Sequence, residues 1–175
     1  RSEPRRCFDL GNAFHALVLE PDTFVKTHAF TDLDRRTTAF KEFAAQHTGK
    51  TILKDSDYAI VRGMHNGIMR NTAAAKLIKG LVEAEQSYFW TDEATKVECK
   101  CRPDALVKPC GRTAIIDLKS TSADASPRTF QRSIAQYGYH MQAAWYTHGV
   151  KQVSGIDALA FIFIVCETSA PYDCA

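Results

Sequence analysis

The sequence lacks any long hydrophobic run: none of its apolar stretches reaches the roughly 18 residues that suggest a membrane-spanning helix. Its beginning also lacks the short apolar core and small-residue cleavage pattern of a secretory signal peptide. Both absences favour a protein without a membrane partner and with a cytoplasmic location. The chain starts at Arg1 without a methionine and stops at Ala175 soon after an apolar run, so we expect a piece of a longer protein, truncated at both ends.

An excess of one charge is also missing. The 22 Lys and Arg residues nearly balance the 20 Asp and Glu residues, and the formal net charge is only +2. Composition therefore neither indicates nor excludes nucleic-acid binding, because a local basic surface can exist in a nearly neutral chain. With 45% apolar and 24% charged residues, 175 residues predict one globular domain.

Paired cysteine motifs are absent as well. Six cysteines occur without a CxxC pair, and a chain of this length needs no disulfide framework, so we predict free thiols. Two of them are two residues apart on a predicted strand and would face the same side. Small core-filling side chains are the favoured interpretation of that pair. The six are Cys7, Cys99, Cys101, Cys110, Cys166 and Cys174.

Helical patterns dominate about the first 80 residues. Apolar spacing predicts a helix at about 10–19 that Pro21 closes, and a helical stretch from Thr37 to Gly80. Asp55 and Asn71 are suitable N-cap residues within that stretch. The predicted segments of the stretch are 37–47, 55–70 and 71–79.

The remainder, about 81–175, has the pattern of a sheet with helices. Alternating residues predict a meander of three strands at 86–90, 97–102 and 113–118. A helix should begin at Ser126-Pro127 and run to about His148. The apolar stretch 158–165 suits a strand buried on both faces. Together these patterns predict a mixed α/β fold with a helical N-terminal part.

Two carboxylates and a lysine lie at the ends of predicted strands. Asp104 follows Pro103, which belongs at a strand end because it cannot donate a ladder hydrogen bond. Asp117 and Lys119 are two apart on one strand and share a face, while Leu118 points into apolar packing. Two such carboxylates can share Mg²⁺, beside a lysine that orients water at a phosphate. A solvated strand end with an Asp–Lys ion pair is the ordinary alternative.

Four further residues could join this cluster. Glu85 lies just before the first meander strand and could add a third carboxylate, although a surface glutamate is equally consistent. Gln142 and Tyr146 share one helix face and could fix a water or a phosphate oxygen, although a tyrosine there usually packs. His15 lies on an apolar helical face, where it is either a core residue or a metal ligand.

The sequence signals for DNA contacts are less specific than those for the carboxylate cluster. Ser120 and Thr121 directly follow Lys119 and could donate to a phosphate oxygen. The arginine doublets Arg5-Arg6 and Arg35-Arg36, together with Arg128 and Arg132, could bind phosphates, although exposed arginines are common on solvated faces.

Four sequence blocks together resemble one branch of a nuclease superfamily. PD followed by DxK resembles the PD-(D/E)xK superfamily, and the set is similar to its RecE (exonuclease VIII) branch. The blocks are LGNAFH at 10–15, CRPD at 101–104, DLKST at 117–121 and YHMQAAWY at 139–146.

This resemblance implies a restriction-endonuclease-like core, with a central mixed sheet of about four strands flanked by helices. It implies an exonuclease, dependent on Mg²⁺ or a substitute such as Mn²⁺, that degrades one strand of duplex DNA from the 5′ end. Relatives act in recombination, usually phage-encoded, with an annealing protein as partner and sometimes as toroidal homo-oligomers. By resemblance, the metal ligands are His15, Asp104, Asp117 and the Leu118 carbonyl, Lys119 contacts the scissile phosphate, and Glu85, Gln142 and Tyr146 complete the site.

Two alternatives remain open at this stage. An endonuclease, or a flap or single-strand nuclease, could use the same core, because surrounding loops set substrate choice. A non-catalytic DNA-binding module could also keep the fold. The clustered carboxylates speak against such a module, because they repel one another without a cation.

Overall fold

The computed structural model describes residues 6–175, with side chains from Asp9 onward. Seven α-helices lie within these residues: α1 (Arg6–Leu19), α2 (Pro21–Thr27), α3 (Thr38–Gln46), α4 (Asp55–Arg70), α5 (Thr72–Lys79), α6 (Pro127–Tyr137) and α7 (Tyr139–Ser154). The strands are β1 (His28–Phe30), β2 (Thr51–Leu53), β3 (Leu81–Ala84), β4 (Tyr88–Thr91), β5 (Glu98–Cys101), β6 (Ala105–Val107), β7 (Ala114–Thr121) and β8 (Phe161–Glu167).

A mixed four-stranded sheet forms the centre of the fold. Its strand order is β3-β6-β7-β8, with β6 antiparallel to both neighbours and β8 parallel to β7. The strands β4 and β5 form a separate antiparallel ribbon, and β1 and β2 form a short parallel pair. The predicted mixed α/β fold with a central mixed sheet of about four strands is confirmed.

Helices α1 and α4 cover one face of this sheet. Phe14, Met64 and Ile68 are completely buried there, in one cluster with Ile116 and Leu118 of the sheet. Each such side chain contributes about 1.5–3 kcal/mol through the apolar surface removed from water. This packing holds α1 against β7 and so fixes the position of His15, the neighbour of Phe14.

Helix α7 and the β4–β5 ribbon lie against the other face. Leu106 and Ile115 point to that side and pack with Val150 of α7 and Tyr88 of the ribbon. An added Cβ at Gly149 would come within 2.7 Å of Cys101 Sγ and of a Trp90 ring carbon, so helix and ribbon are in close contact. Asp117 and Lys119 share this face with Ile115, because strand side chains alternate.

The predicted three-strand meander is wrong. The segments 86–90 and 97–102 pair only with each other in the ribbon, whereas 113–118 belongs to the central sheet. Strands β3 and β6 were missed because they have four and three residues, too few for a period-2 pattern to be recognised. The strand predicted at 158–165 exists but begins at Phe161 and ends at Glu167.

Helix boundaries also differ from prediction in part. The helix predicted from Pro127 to His148 is two helices, because Gly138 adopts a left-handed conformation with φ 68° and ends α6. Pro21 opens a new helix in the first-turn position that proline favours, and β2 interrupts the stretch predicted as helical. Asn71 is confirmed as an N-cap, since its side chain accepts from two backbone N–H groups of α5. Asp55 is the first helical residue, and Lys54 holds the cap position.

Two other findings concern the described residues. Cys99 and Cys101 do lie on one face of β5, partly and fully buried respectively, and the five cysteines with described side chains are free thiols. No helix in this part of the chain combines the length and apolar character that crossing a membrane would require.

Candidate active site

Asp117 lies in the middle of β7 and is almost completely buried, with its side chain only 1% exposed. Gln142, in the first turn of α7, donates a hydrogen bond from Nε2 to Asp117 Oδ1 at 3.1 Å. The ammonium group of Lys119, two residues along the same strand face, contacts Asp117 Oδ2. A buried carboxylate needs such partners, because burial without them is costly. The structure therefore brings Asp117, Lys119 and Gln142 together.

Asp104 occupies the bend between the ribbon and β6. It directly precedes β6, whose first residue Ala105 pairs with Ile116 of β7. Its Oδ2 accepts a hydrogen bond from the Leu118 backbone N–H at 2.7 Å. This bond anchors the Asp104 carboxylate beside β7, one residue from Asp117 along that strand.

Glu85 and His15 complete the cluster from two further elements. Glu85 follows β3, rather than preceding the first strand as predicted, and its N–H donates to the Asp104 carbonyl at 2.9 Å. Its φ of 51° turns the chain from the sheet into the ribbon. His15 of α1 places Nδ1 3.6 Å from Glu85 Oε1 and 3.5 Å from Asp104 Oδ2. Its other nitrogen, Nε2, lies 3.1 Å from the Leu118 carbonyl oxygen.

The cluster has the donor set of a divalent-metal site. One ligand atom each from His15, Glu85 and Asp104 lies within 4.8 Å of the others. Carboxylate oxygens and a neutral imidazole suit hard or borderline divalent ions. Asp117 Oδ2 is buried beside this group and is in contact with the Lys119 ammonium. Three ligand groups of this chemistry, this close together, suit a divalent cation, so the residues present can hold one.

The charges in the cluster shift one another's proton affinities. Burial raises the pKa of the Asp104 carboxyl to about 6, although the positive charge of His15 opposes the shift. Burial also raises the pKa of Asp117, against the effect of the Lys119 ammonium. Burial lowers the pKa of His15, but the hydrogen bond to Glu85 and the charge of Asp104 outweigh this, and the net shift is upward. The raised pKa values of Asp104 and Asp117 reflect their burial first, and a bound cation would relieve the repulsion between the two carboxylates.

Two residues beside the site were not predicted to take part in it. The Lys119 ammonium lies 4.7 Å from the centre of the Tyr139 ring, a cation–π contact that helps to orient the lysine. Arg102 Nε lies 3.2 Å from Glu85 Oε2, and the arginine side chain is 63% exposed. Tyr139 and Arg102 occur in the YHMQAAWY and CRPD blocks, so position within a block was the signal that could have identified them.

Three other predicted site residues make no contact with the carboxylates that the structure of the described residues shows. The Tyr146 ring packs against Phe161 in the apolar cluster on the α7 side of the sheet, and no contact with the carboxylates is found within the described residues. Ser120 is exposed on β7 directly after Lys119, where it is accessible to a ligand. Thr121 is half-buried, and its hydroxyl accepts from the Ala123 N–H at 3.1 Å.

The arginine candidates are not assembled at the cluster. Arg35 donates to the Ile52 carbonyl at 3.4 Å and lines an open cleft of about 720 Å³ between α3 and β2, whereas Arg36 is exposed. Arg128 and Arg132 are exposed on α6. Arg5 and the side chain of Arg6 lie outside the described residues.

Comparison with protein-family models finds a match along the chain. A family model described as a PDDEXK-like domain of unknown function (DUF3799) matches residues 1–175. A search of curated proteins finds none that matches this chain.

Proposed function

The chain belongs to the PDDEXK-like family DUF3799, and from this premise we propose that it is a divalent-metal-dependent nuclease that hydrolyses phosphodiester bonds in DNA. The observation that carries the proposal is the convergence of His15, Glu85, Asp104, Asp117 and Lys119 from four separate parts of the fold. Packing of the fold alone does not require three carboxylates and a half-buried ammonium group to meet at one point.

The metal would be held by His15, Glu85 and Asp104, with Asp117 and the Leu118 carbonyl beside them. When bound, Mg²⁺ or Mn²⁺ lowers the pKa of a coordinated water and neutralises negative charge at the phosphate. Asp104 is fixed for this task by the Leu118 N–H, and Asp117 is oriented by Gln142. These hydrogen bonds hold both carboxylates in position before substrate arrives.

Lys119 is the residue that faces the reacting phosphate. Its ammonium group carries three N–H donors, and one of them is directed at Asp117. The remaining donors bind a non-bridging phosphate oxygen and orient the attacking water. A donor that is held in place where charge develops contributes roughly 10²–10³-fold to turnover. Tyr139 keeps the lysine over its ring and away from bulk solvent.

The resemblance to the RecE branch supports a finer proposal. The enzyme degrades one strand of linear duplex DNA from the 5′ end, uses Mg²⁺, and supplies 3′ single strands to an annealing protein during recombination. A homo-oligomer around the DNA would be part of that activity in the full-length protein.

The test uses linear duplex DNA labelled at either the 5′ or the 3′ end, with Mg²⁺ or with EDTA. We expect the wild type to release the 5′ label first in Mg²⁺ and to release nothing in EDTA. Asp117→Ala and Lys119→Ala should each lose at least about 10²-fold in rate. Lys151→Ala is the matched control, because Lys151 is an exposed lysine near the end of α7 that pairs with Asp157 and is not among the candidate contacts.

Equal label release by the wild type and both site variants would overturn the proposed site. Cleavage of a closed circular duplex would show that the protein is an endonuclease of the same superfamily and not an exonuclease. Binding of DNA without hydrolysis in Mg²⁺ and in Mn²⁺ would leave a non-catalytic DNA-binding module.

A further inference from the structure

The break between α6 and α7 places an exposed aromatic ring beside Tyr139, the residue that contacts the Lys119 ammonium. Gly138 ends α6 in a left-handed conformation, so the residues on its two sides, Tyr137 and Tyr139, turn towards each other. Their ring centres are 5.6 Å apart. Tyr139 in turn lies under the Lys119 ammonium at 4.7 Å. Two successive contacts therefore connect Tyr137 to the group that faces the phosphate.

The two rings have different surroundings. Tyr139 packs with Phe130 and Phe163 in an apolar cluster, which accounts for its place in the fold. Tyr137 is 63% exposed and belongs to none of the apolar clusters among the described residues. Folding therefore does not require an aromatic side chain at position 137.

We propose that Tyr137 stacks on the unpaired nucleobase adjacent to the scissile phosphate. This subsite rests on the proposed function, since it assumes that the phosphate binds at Lys119. Every nucleobase presents an aromatic face, so stacking at this position accepts any sequence.

The test measures binding without cleavage. The probe is a duplex with 2-aminopurine at its 5′ terminal nucleotide, titrated with protein in Ca²⁺ instead of Mg²⁺. Stacking on Tyr137 should quench the 2-aminopurine fluorescence. Tyr137→Ala should lose the quenching and weaken binding by roughly 5- to 100-fold, the range expected for one base–aromatic stack. Tyr137→Phe should retain both, because stacking uses the ring and not the hydroxyl group.

Phe89→Ala is the matched control, because Phe89 is an equally exposed aromatic residue, at 66%, on the ribbon. Normal quenching and affinity in Tyr137→Ala would overturn the subsite while leaving the nuclease intact. Failure of the wild type to bind or cleave any DNA would instead overturn the proposed function, and the subsite with it.

A separate observation concerns two thiols at the edge strand of the sheet. The segment after β8 folds back, and an isolated antiparallel bridge pairs Cys166 with Cys174. Val165 and Ala175 exchange two backbone hydrogen bonds, at 2.8 and 3.0 Å, so the two cysteines occupy the adjacent non-hydrogen-bonded position. Opposed Cα atoms at such positions are about 4.5 Å apart, within the range that a disulfide spans.

The two side chains already face each other. The Cys166 thiol donates to the Met64 carbonyl at 3.4 Å, and the interaction of its sulfur with the neighbouring Cys174 lowers the pKa of the Cys174 thiol. Cys166 is completely buried, whereas Cys174 is partly accessible. Cys174 is therefore the thiolate that a solution oxidant would meet first.

We infer that Cys166 and Cys174 form a reversible disulfide when the protein meets a low-molecular-weight disulfide such as oxidised glutathione. The Cys174 thiolate attacks the glutathione disulfide, which forms a mixed disulfide at Cys174 and releases one glutathione thiolate. The Cys166 sulfur, after loss of its proton, then attacks the Cys174 sulfur and releases the second glutathione. Two protein thiols are oxidised and one glutathione disulfide is reduced to two thiols.

The disulfide would cross-link the segment that covers α4. Tyr172 lies against Gly63 and Gly67, and Asn71 Nδ2 donates to the Cys174 carbonyl at 2.7 Å. Closing the bond restricts the unfolded chain, so oxidation should raise the melting temperature, and a thiol reductant should reverse the rise.

The test treats the folded protein with oxidised glutathione and then maps disulfides by mass spectrometry after alkylation. A peptide linking Cys166 to Cys174 is expected, together with a higher melting temperature. Cys174→Ser and Cys166→Ser should each abolish both effects, whereas Cys110→Ser should retain both. Stable glutathione on Cys174 without closure, or full alkylation of both thiols, would overturn the inference.

Discussion

At the residue scale, burial of a charged carboxylate lowers the free energy of unfolding when no cation is bound. Asp104 is buried close to Asp117, and its pKa is raised to about 6, well above its ordinary value of 3.8. The native state therefore binds this proton more tightly than the unfolded state does. The contribution of Asp104 to the free energy of unfolding falls as the pH rises from about 4 to about 6 and stays low above that range.

Replacing Asp104 by a neutral residue should therefore stabilise the protein at high pH. In EDTA at pH 8, Asp104→Asn should raise the free energy of unfolding by about 1–3 kcal/mol, because a neutral amide replaces a buried charge. At pH 4 the wild-type carboxyl is protonated and the gain should largely disappear. Urea unfolding at both pH values measures the difference. A variant less stable than the wild type at pH 8 would contradict the raised pKa.

At the scale of elements, the docking of the C-terminal segment on α4 depends on two glycines. An added Cβ at Gly67 would overlap the backbone carbonyl of Tyr172, and one at Gly63 would overlap its ring. Gly63 and Gly67 are four residues apart on α4, so they form one small-residue stripe facing the segment. Arg70 strengthens this docking by donating to the Pro171 carbonyl at 2.5 Å.

The element-scale prediction compares two Gly→Ala substitutions in helices. Gly67→Ala should lower the free energy of unfolding by about 1–3 kcal/mol, since the overlap with backbone cannot be relieved by a side-chain rotation. Gly11→Ala in α1 should be neutral or stabilising by up to about 1 kcal/mol, because nothing lies within 4 Å of its added Cβ. Chemical denaturation of both variants measures this contrast, and a stabilised Gly67→Ala would refute the close docking.

At the scale of the whole molecule, the candidate metal centre joins parts that are distant in sequence. His15 comes from α1, Glu85 from the turn after β3, and Asp104 from the bend before β6. An unfolded chain cannot keep these three groups together, so a cation should bind the native state almost exclusively. Binding is then linked directly to folding.

The whole-molecule prediction is a rise in melting temperature with Mg²⁺ or Mn²⁺. A concentration 100 times the dissociation constant stabilises the native state by about 2.7 kcal/mol. The rise should be larger at pH 8 than at pH 5, because the cation competes with protons on Asp104 and His15. Asp104→Asn should largely remove this rise in melting temperature. Scanning calorimetry with each ion and with EDTA provides the measurement, and equal shifts in the wild type and Asp104→Asn would place the ion elsewhere.

Part of this architecture could be predicted from local patterns. The helices α3 and α4 and the cap at Asn71 were predicted closely, because apolar spacing and capping chemistry are local. The strands β3 and β6 could not be predicted, because three or four residues are stabilised by their partners and not by their own pattern. The break at Gly138 could not be predicted either, because an isolated glycine within a helical pattern does not by itself indicate that the helix ends there.

The candidate site was also predictable only in part. The sequence by itself determined the chemical groups and the shared face of Asp117 and Lys119, because strand alternation is a property of the backbone. Only the tertiary structure decided that His15 and Glu85 approach Asp104, that Gln142 rather than Tyr146 contacts Asp117, and that Tyr139 lies beneath Lys119. Those contacts join residues that are distant in the chain, and only the packing of α1 and α7 on opposite faces of the sheet brings them together.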